Sequence, residues 1–206
     1  MSALFDRLSA ALEHGHRREI GDLLSDERFA MAGRTAQAAV LIAITDRPKP
    51  GLILTQRPQG MRDHPGQVAF PGGKLNPGED AVAAALREAH EELALDPQIV
   101  RVIGATDRYH TGTGFDVTPI VAVVPPDLEL APDPREVEAW FEVPLSLLLR
   151  RENWQEQEVF WRGDLRKYLE LHYEGFRIWG VTAAIIANLS RRLEIEGLID
   201  GHWDAR

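Results

Sequence analysis

Residues 73–95 read Gly73-Lys-Leu-Asn-Pro-Gly-Glu79 and, after seven further residues, Arg87-Glu88-Ala89-His90-Glu91-Glu92-Leu93-Ala94-Leu95. A glycine turn thus leads into a segment whose apolar positions recur with a helical period. At about 100° per residue, Glu88, Glu91 and Glu92 fall within an arc of about 100°. Val82, Leu86, Ala89 and Leu93 lie on roughly the opposite side, where they pack into a core. Alone, a Glu-x-x-Glu-Glu run is most often a solvated helix face. Like charges at these spacings repel by roughly a few tenths of a kcal/mol per pair, and a hard divalent cation bound through oxygen is the simplest compensation. The stretch predicts a metal-holding helix over about 79–95 that ends before Pro97.

Outward from this helix the chain alternates strand-like and helical signals. Residues 2–25 predict helix: Ser2 caps it, Leu4, Phe5, Leu8, Ala11 and Leu12 form a stripe that stops near Gly15, and a second piece spans Arg17–Leu24. Ala36–Thr45 and Leu52–Gln56 are β-favouring runs separated by Pro48-Lys-Pro-Gly51, which predicts a hairpin. Ile99–Ala105, Val117–Val124, Glu136–Val143 and Tyr168–Tyr173 predict further strands. Val124–Pro134 predicts a loop, Leu145–Arg150 a short helix and Phe176–Leu193 a long buried helix. Mixed strands with helices before, between and after them imply an α/β fold, layered as an α/β/α sandwich around a mixed sheet.

Composition narrows the function classes. Hydrophobic residues make up 44% and charged residues 27% of the 206, which is globular rather than disordered. The absence of cysteine excludes disulfides and thiolate metal sites. No apolar run reaches the roughly 18 residues of a membrane span, so no membrane partner and a cytoplasmic location are expected. A net charge of −9 disfavours nucleic acid as a partner; a small anionic substrate still fits if cations cluster locally.

Upstream of the helix lies Ile53-Leu-Thr55-Gln-Arg57-Pro58-Gln-Gly-Met-Arg62-Asp-His-Pro-Gly66-Gln-Val-Ala-Phe70-Pro-Gly72-Gly73. Arg57 and Arg62 follow a strand and lead into the glycine turn beside the acidic helix. Arginine suits bidentate phosphate contacts, although such residues are also common as solvated loop charges. Gly66, Gly72 and Gly73 let backbone come close to a ligand.

Phe70–Gly73, Glu79 and Arg87–Leu95 together resemble the Nudix box: a Gly, a Glu after five residues, and Arg-Glu-(apolar)-x-Glu-Glu-x-Gly-(apolar) after seven more. Ala89 stands where a larger apolar residue is usual, and Ala94 where the pattern has Gly. Ala94 predicts a helix that runs one residue longer rather than turning left-handed there. The upstream stretch resembles the signature of the coenzyme A pyrophosphatase branch, keeping Thr55, Arg57, Arg62, Gly66 and Phe70–Gly73 in register. It departs at Ile53 and at Pro58, where Ser or Ala is expected. Phe115–Pro119, Glu136-Val137 with Phe141–Pro144, and Ile178–Ala183 also look like that branch. The resemblance covers about residues 36–193.

The resemblance implies a Nudix-type sandwich at 35–195, preceded by a helical extension at 1–34 and followed by a tail at 196–206. It implies hydrolysis of the pyrophosphate bond of coenzyme A or its thioesters to 3′,5′-ADP and 4′-phosphopantetheine. Mg²⁺ or Mn²⁺ would be held by Glu88 and Glu92 with the Gly73 carbonyl. Glu91 would complete a second metal site or act as base, and Arg87 would orient a box carboxylate, Glu79 first among them. Arg57, Arg62, Gly66 and Gly72 would bind substrate. Glu136 is a second candidate base. His90 is expected on the core-facing side of the helix as a structural residue; His64 and His110 lie in loops, and Asp63, Asp107 and Asp116 have no distinguishing spacing. Two other functions compete: a Nudix hydrolase of another nucleoside diphosphate derivative such as ADP-ribose, and a catalytically silent ligand-binding module. Residues 1–34 are expected to pack on the domain or on a second subunit of a homodimer.

Overall fold

Ala36–Thr45 forms strand β1 and Gly51–Gln56 forms β2, and the proline-rich turn between them folds the pair antiparallel with Ile44 opposite Leu52. The computed structural model describes residues 2–21, 23–26, 36–161 and 163–193. β1 is the centre of a mixed sheet. It runs parallel to β7 (Phe115–Val124) over its whole length, from Ala36 beside Phe115 to Thr45 beside Val124. β5 (Arg101–Ala105) pairs antiparallel with β7, and β8 (Ala139–Pro144) with β2. Three short strands complete it: β3 (Val68–Ala69) on β2, β4 (Gly72–Lys74) on β1 and β6 (Tyr109–His110) on β7.

Successive side chains of β1 point to opposite faces, and both faces are covered. That is why its sequence is a continuous apolar run rather than an alternating one. On one face, helix α2 (Ala81–Leu93) buries Ala84, Ala85, Ala89 and Leu93 against Ala39, Leu41, Ala43, Ile53, Ile120 and Ala122. On the other lie α1 (Ala3–His16), the short α3 (Leu145–Leu148), α4 (Gly180–Leu193) and a second sheet of β9 (Gln155–Trp161), β10 (Asp164–Tyr173) and β11 (Phe176–Trp179), over Ile42, Ile44, Leu52, Leu54, Val121 and Val123. This is the layered sandwich that the element order implies.

α1 packs on α4 so closely that a Cβ on Gly15 would lie 2.4 Å from the Arg192 carbonyl oxygen. The Arg192 guanidinium donates to both Asp107 carboxylate oxygens (2.7 and 2.6 Å) and to the carbonyls of Gly15 and Arg18 (2.7 and 2.6 Å). Asn188 brackets Leu24, accepting from its N–H at 2.8 Å and donating to its carbonyl at 2.9 Å.

Several elements differ from the sequence expectation. Among the described residues of Arg17–Leu24 there is no second helix, because the Arg192 and Asn188 side chains engage the backbone of that segment instead. α2 stops at Leu93, and Ala94 itself turns left-handed (φ 55°, ψ 26°), its N–H donating to the His90 carbonyl at 2.8 Å and the Leu95 N–H to the Ala89 carbonyl at 3.4 Å. The expected extension by one residue does not occur. The strand after the proline-rich loop begins at Ala139, leaving Glu136 in a turn. The first four residues of the expected Phe176–Leu193 helix form β11, and Gly180 at φ +62° makes the change to α4. The expected tail at 196–206 lies outside the described residues.

Candidate metal and active site

The site grows from the ends of α2. Asp80 caps the N-terminus by accepting from the Ala83 N–H at 2.8 Å, and the alanine face lets the helix sit low on β1. This packing fixes the rotation of the helix and aims Glu88 and Glu92 along the sheet toward β4. Glu88 crosses the Gly73 backbone so closely that a Cβ on Gly73 would stand 2.4 Å from its Oε1. A side chain at Gly73 would therefore displace the Glu88 carboxylate. A Cβ on Gly72 would lie 2.4 Å from the Ala39 carbonyl oxygen, so that residue is limited by the β1 backbone.

Arg87 organises the opposite flank. Its Nε and Nη2 donate to Glu79 at 2.8 and 2.9 Å, its Nη1 to Glu88 at 2.8 Å and to Glu91 at 3.1 Å, and its Nη2 also to the Lys74 carbonyl at 3.1 Å. The Arg87 hydrogen bond, with help from the Asn76 N–H, holds the Glu79 carboxyl down at about 2. Glu79 and Arg87 thus tie the turn 73–79 to the helix. His90 is exposed, not core-facing; its Nδ1 lies 3.2 Å from the Leu95 carbonyl, just past the helix end.

Carboxylate oxygens of Glu88, Glu92 and Glu136 all lie within 4.8 Å of one another. Glu92 is only 5% exposed, and its Oε2 is buried without a hydrogen-bond partner. Burial pushes its carboxyl up to about 8, and the charges of Glu88 and Glu136 push the same way; the Gly72 N–H, which donates to it, and Arg57 oppose the shift. Two oxygens on one cation at about 2.0–2.6 Å can be at most about 4–5 Å apart, so the spacing fits one ion. An orphaned carboxylate oxygen in a three-carboxylate group is the donor chemistry of a hard cation such as Mg²⁺ or Mn²⁺. Glu91 stands outside this group. Its side chain is 53% exposed and turned to Arg87.

The stretch 57–67 is a loop between β2 and β3, closed on itself by Arg57 N–H to the Gln67 carbonyl (3.0 Å), Gly66 N–H to the Arg57 carbonyl (3.1 Å) and Gln67 N–H to the His64 carbonyl (3.2 Å). Gly66 has φ +67°, and a Cβ there would also strike Gln59. The positive charge of Arg57, at the foot of the loop, is felt at Glu92, and the Arg57 Nε is buried without a partner. Arg62 and His64 are on the exposed part of the loop. Asp107 is taken by Arg192, whereas His110 and Arg108 face Asp116 at 3.4 and 3.2 Å.

Glu136 reaches the group through a connection that sequence patterning does not announce. Ala131 and Asp133 donate their N–H groups to the carbonyls of Leu93 and Glu92, both at 2.9 Å. These are carbonyls that the end of a helix leaves without an intrahelical partner. The only sequence signal is Ala131-Pro132-Asp133-Pro134, in which alternate residues lack an N–H.

A mixed-sheet sandwich with a carboxylate-bearing helix beside a glycine turn and an arginine loop defines a hydrolase of the Nudix class. The NUDIX domain model matches residues 35–162, and the chain belongs to that family. Two relatives, each called "Uncharacterized Nudix hydrolase NudL", are 45% identical to it. The one from Enterobacter sp. (strain 638) aligns over 76% of this chain and 82% of its own length, and the one from Escherichia coli (strain K12 / DH10B) over 78% and 84%. The crystal structure of a Nudix hydrolase from M. smegmatis, RenU, shares the fold with a TM-score of 0.54, covering 87% of this chain and 97% of its own at 22% identity. Nudix hydrolases act on pyrophosphate bonds of small nucleotide derivatives. No helix among the described residues is long and apolar enough to cross a membrane.

Proposed function

We propose that the protein is a metal-dependent pyrophosphohydrolase of coenzyme A or its thioesters, releasing 3′,5′-ADP and 4′-phosphopantetheine. The observation that carries the substrate is the arginine loop. Thr55, Arg57, Arg62, Gly66 and Phe70–Gly73 keep the register of the coenzyme A branch, and the same stretch folds so that the charge of Arg57 is felt at the buried Glu92. A guanidinium with an unpartnered, buried Nε beside a carboxylate group supports a phosphate contact at that point.

Glu88, Glu92 and Glu136 would hold the Mg²⁺ or Mn²⁺, with the Gly73 carbonyl as a further ligand. The ion would neutralise the phosphoryl oxygens and polarise the attacked phosphorus. Arg57 binds the pyrophosphate and Arg62 a more distal phosphate. Water adds to one phosphorus, the bridging P–O bond breaks with its electrons on the leaving phosphate, and a carboxylate takes the water's proton. Glu136, the exposed member of the group, is the assigned acceptor. Glu91 and Glu79 act through Arg87, keeping Glu88 in place.

Coenzyme A, dephospho-coenzyme A and ADP-ribose, each incubated with the protein and Mg²⁺ and followed by product mass, test this. Formation of 3′,5′-ADP from coenzyme A is expected. Cleavage of ADP-ribose without it would move the substrate to another nucleoside diphosphate derivative. Hydrolysis of none of the three would overturn the coenzyme A reading and favour the catalytically silent binding module.

A further inference from the structure

Glu136 sits on a turn of its own, far along the chain from Leu93, the last residue of α2, yet its carboxylate meets those of Glu88 and Glu92. Something must hold that turn against the helix. The holding contacts converge on Asp133. Its N–H donates to the Glu92 carbonyl at 2.9 Å, and its own carbonyl accepts from the N–H groups of Glu136 and Val137 at 3.0 and 2.8 Å. Its Oδ1 accepts from the Arg135 N–H at 3.0 Å, the two-residue-on bond that Asp makes in turns. The Arg135 guanidinium then grips both carboxylate oxygens.

The flanking prolines stiffen this arrangement. Pro132 and Pro134 have fixed φ, and each pushes the residue before it toward extended backbone. The N–H groups of Ala131 and Asp133 are thereby presented to the end of α2. None of these bonds touches the Glu136 side chain, yet together they determine where that side chain starts.

We propose that Asp133 is the positioning residue for Glu136, setting that carboxylate against Glu88 and Glu92 for metal binding. The inference rests on the reading that Glu136 belongs to the metal-holding group. Mn²⁺ binding, read from the electron paramagnetic resonance of the free ion, tests it on the full chain, alongside Mn²⁺ half-saturation and substrate KM.

Asp133→Ala should weaken Mn²⁺ binding about tenfold and raise the half-saturation to match, with KM at saturating Mn²⁺ unchanged within about twofold. Asp133→Asn, which keeps the Oδ1 acceptor, should restore binding to within about twofold of the parent. Pro134→Gly, which keeps Asp133 but loosens the turn, should weaken binding several-fold and serves if Asp133→Ala lowers the melting temperature. Unchanged Mn²⁺ binding in Asp133→Ala, with weakened binding in Glu136→Gln, would overturn the positioning role and leave the metal reading intact. Unchanged binding in Glu136→Gln would overturn the metal reading itself, and the inference with it.

Discussion

Replacing Glu92 with glutamine should make the metal-free protein more stable and the metal-loaded protein less so. The Glu92 carboxyl is raised from an ordinary 4.5 to about 8, first by burial and then by Glu88 and Glu136. The folded state therefore binds a proton that the unfolded chain releases above about pH 4.5. A raised folded value contributes stability that is fully present below the unfolded value and is lost as pH rises through the folded one. At about 1.36 kcal/mol per unit, the loss is about 3 kcal/mol by pH 7 and about 5 kcal/mol above pH 8. A glutamine at this position does not ionise and can still accept from the Gly72 N–H, so the variant escapes this loss. For a domain of this size about 3 kcal/mol corresponds to ~6–12 °C in melting temperature. Melting curves in EDTA across the range between the two values should show the variant above the parent at neutral pH and the two converging at the acid end. Mg²⁺ at neutral pH should reverse the order once it reaches about 1,000 times its Kd, where it adds about 4.1 kcal/mol to the parent. A variant less stable than the parent in EDTA at neutral pH would refute the burial argument.

Three further outcomes follow from particular contacts. Gly73→Ala places a Cβ 2.4 Å from Glu88 Oε1, so Mg²⁺-dependent hydrolysis should fall at least about tenfold while circular dichroism stays unchanged. Ala94→Gly relieves a left-handed alanine at φ 55° and should stabilise by about 0.5–1 kcal/mol, or ~1–4 °C in thermal melts, with hydrolysis unaffected. Arg192→Met leaves the Asp107 carboxylate unpaired beneath α1 and should cost about 3–5 kcal/mol in denaturant unfolding while Mn²⁺ binding persists.

The box helix is legible in the sequence because its information is contiguous: the apolar period, the carboxylates and the glycine turn all fall within 73–95. Strand β1 is legible for the same reason. The end of α2 is not, because propensity alone gives alanine no cause to turn left-handed; the backbone bonds from Ala94 to His90 and from Leu95 to Ala89 outweigh that preference. β11 merges with the helix after it because a short apolar run leading into an apolar helix has no period of its own, and only Gly180 marks the change. The placement of Glu136 is beyond patterning altogether. It depends on the backbone bonds that Ala131 and Asp133 make to a helix end far upstream in the chain.

The two halves of the site are supported independently, which, under the proposed function, separates substrate choice from chemistry. The carboxylate group rests on α2, whose alanine face is sealed against β1, and on the turn held at the end of that helix. The loop 57–67 instead closes on its own backbone, and most of it is exposed. Arg57 is the residue of that loop whose charge is felt at Glu92. Under the proposed function, substitutions at 58–65 should therefore alter which phosphates and which distal group are gripped without moving Glu88, Glu92 or Glu136. Substitution of Arg57 reaches both halves, because it removes the proposed phosphate ligand and also the positive charge that opposes protonation of Glu92.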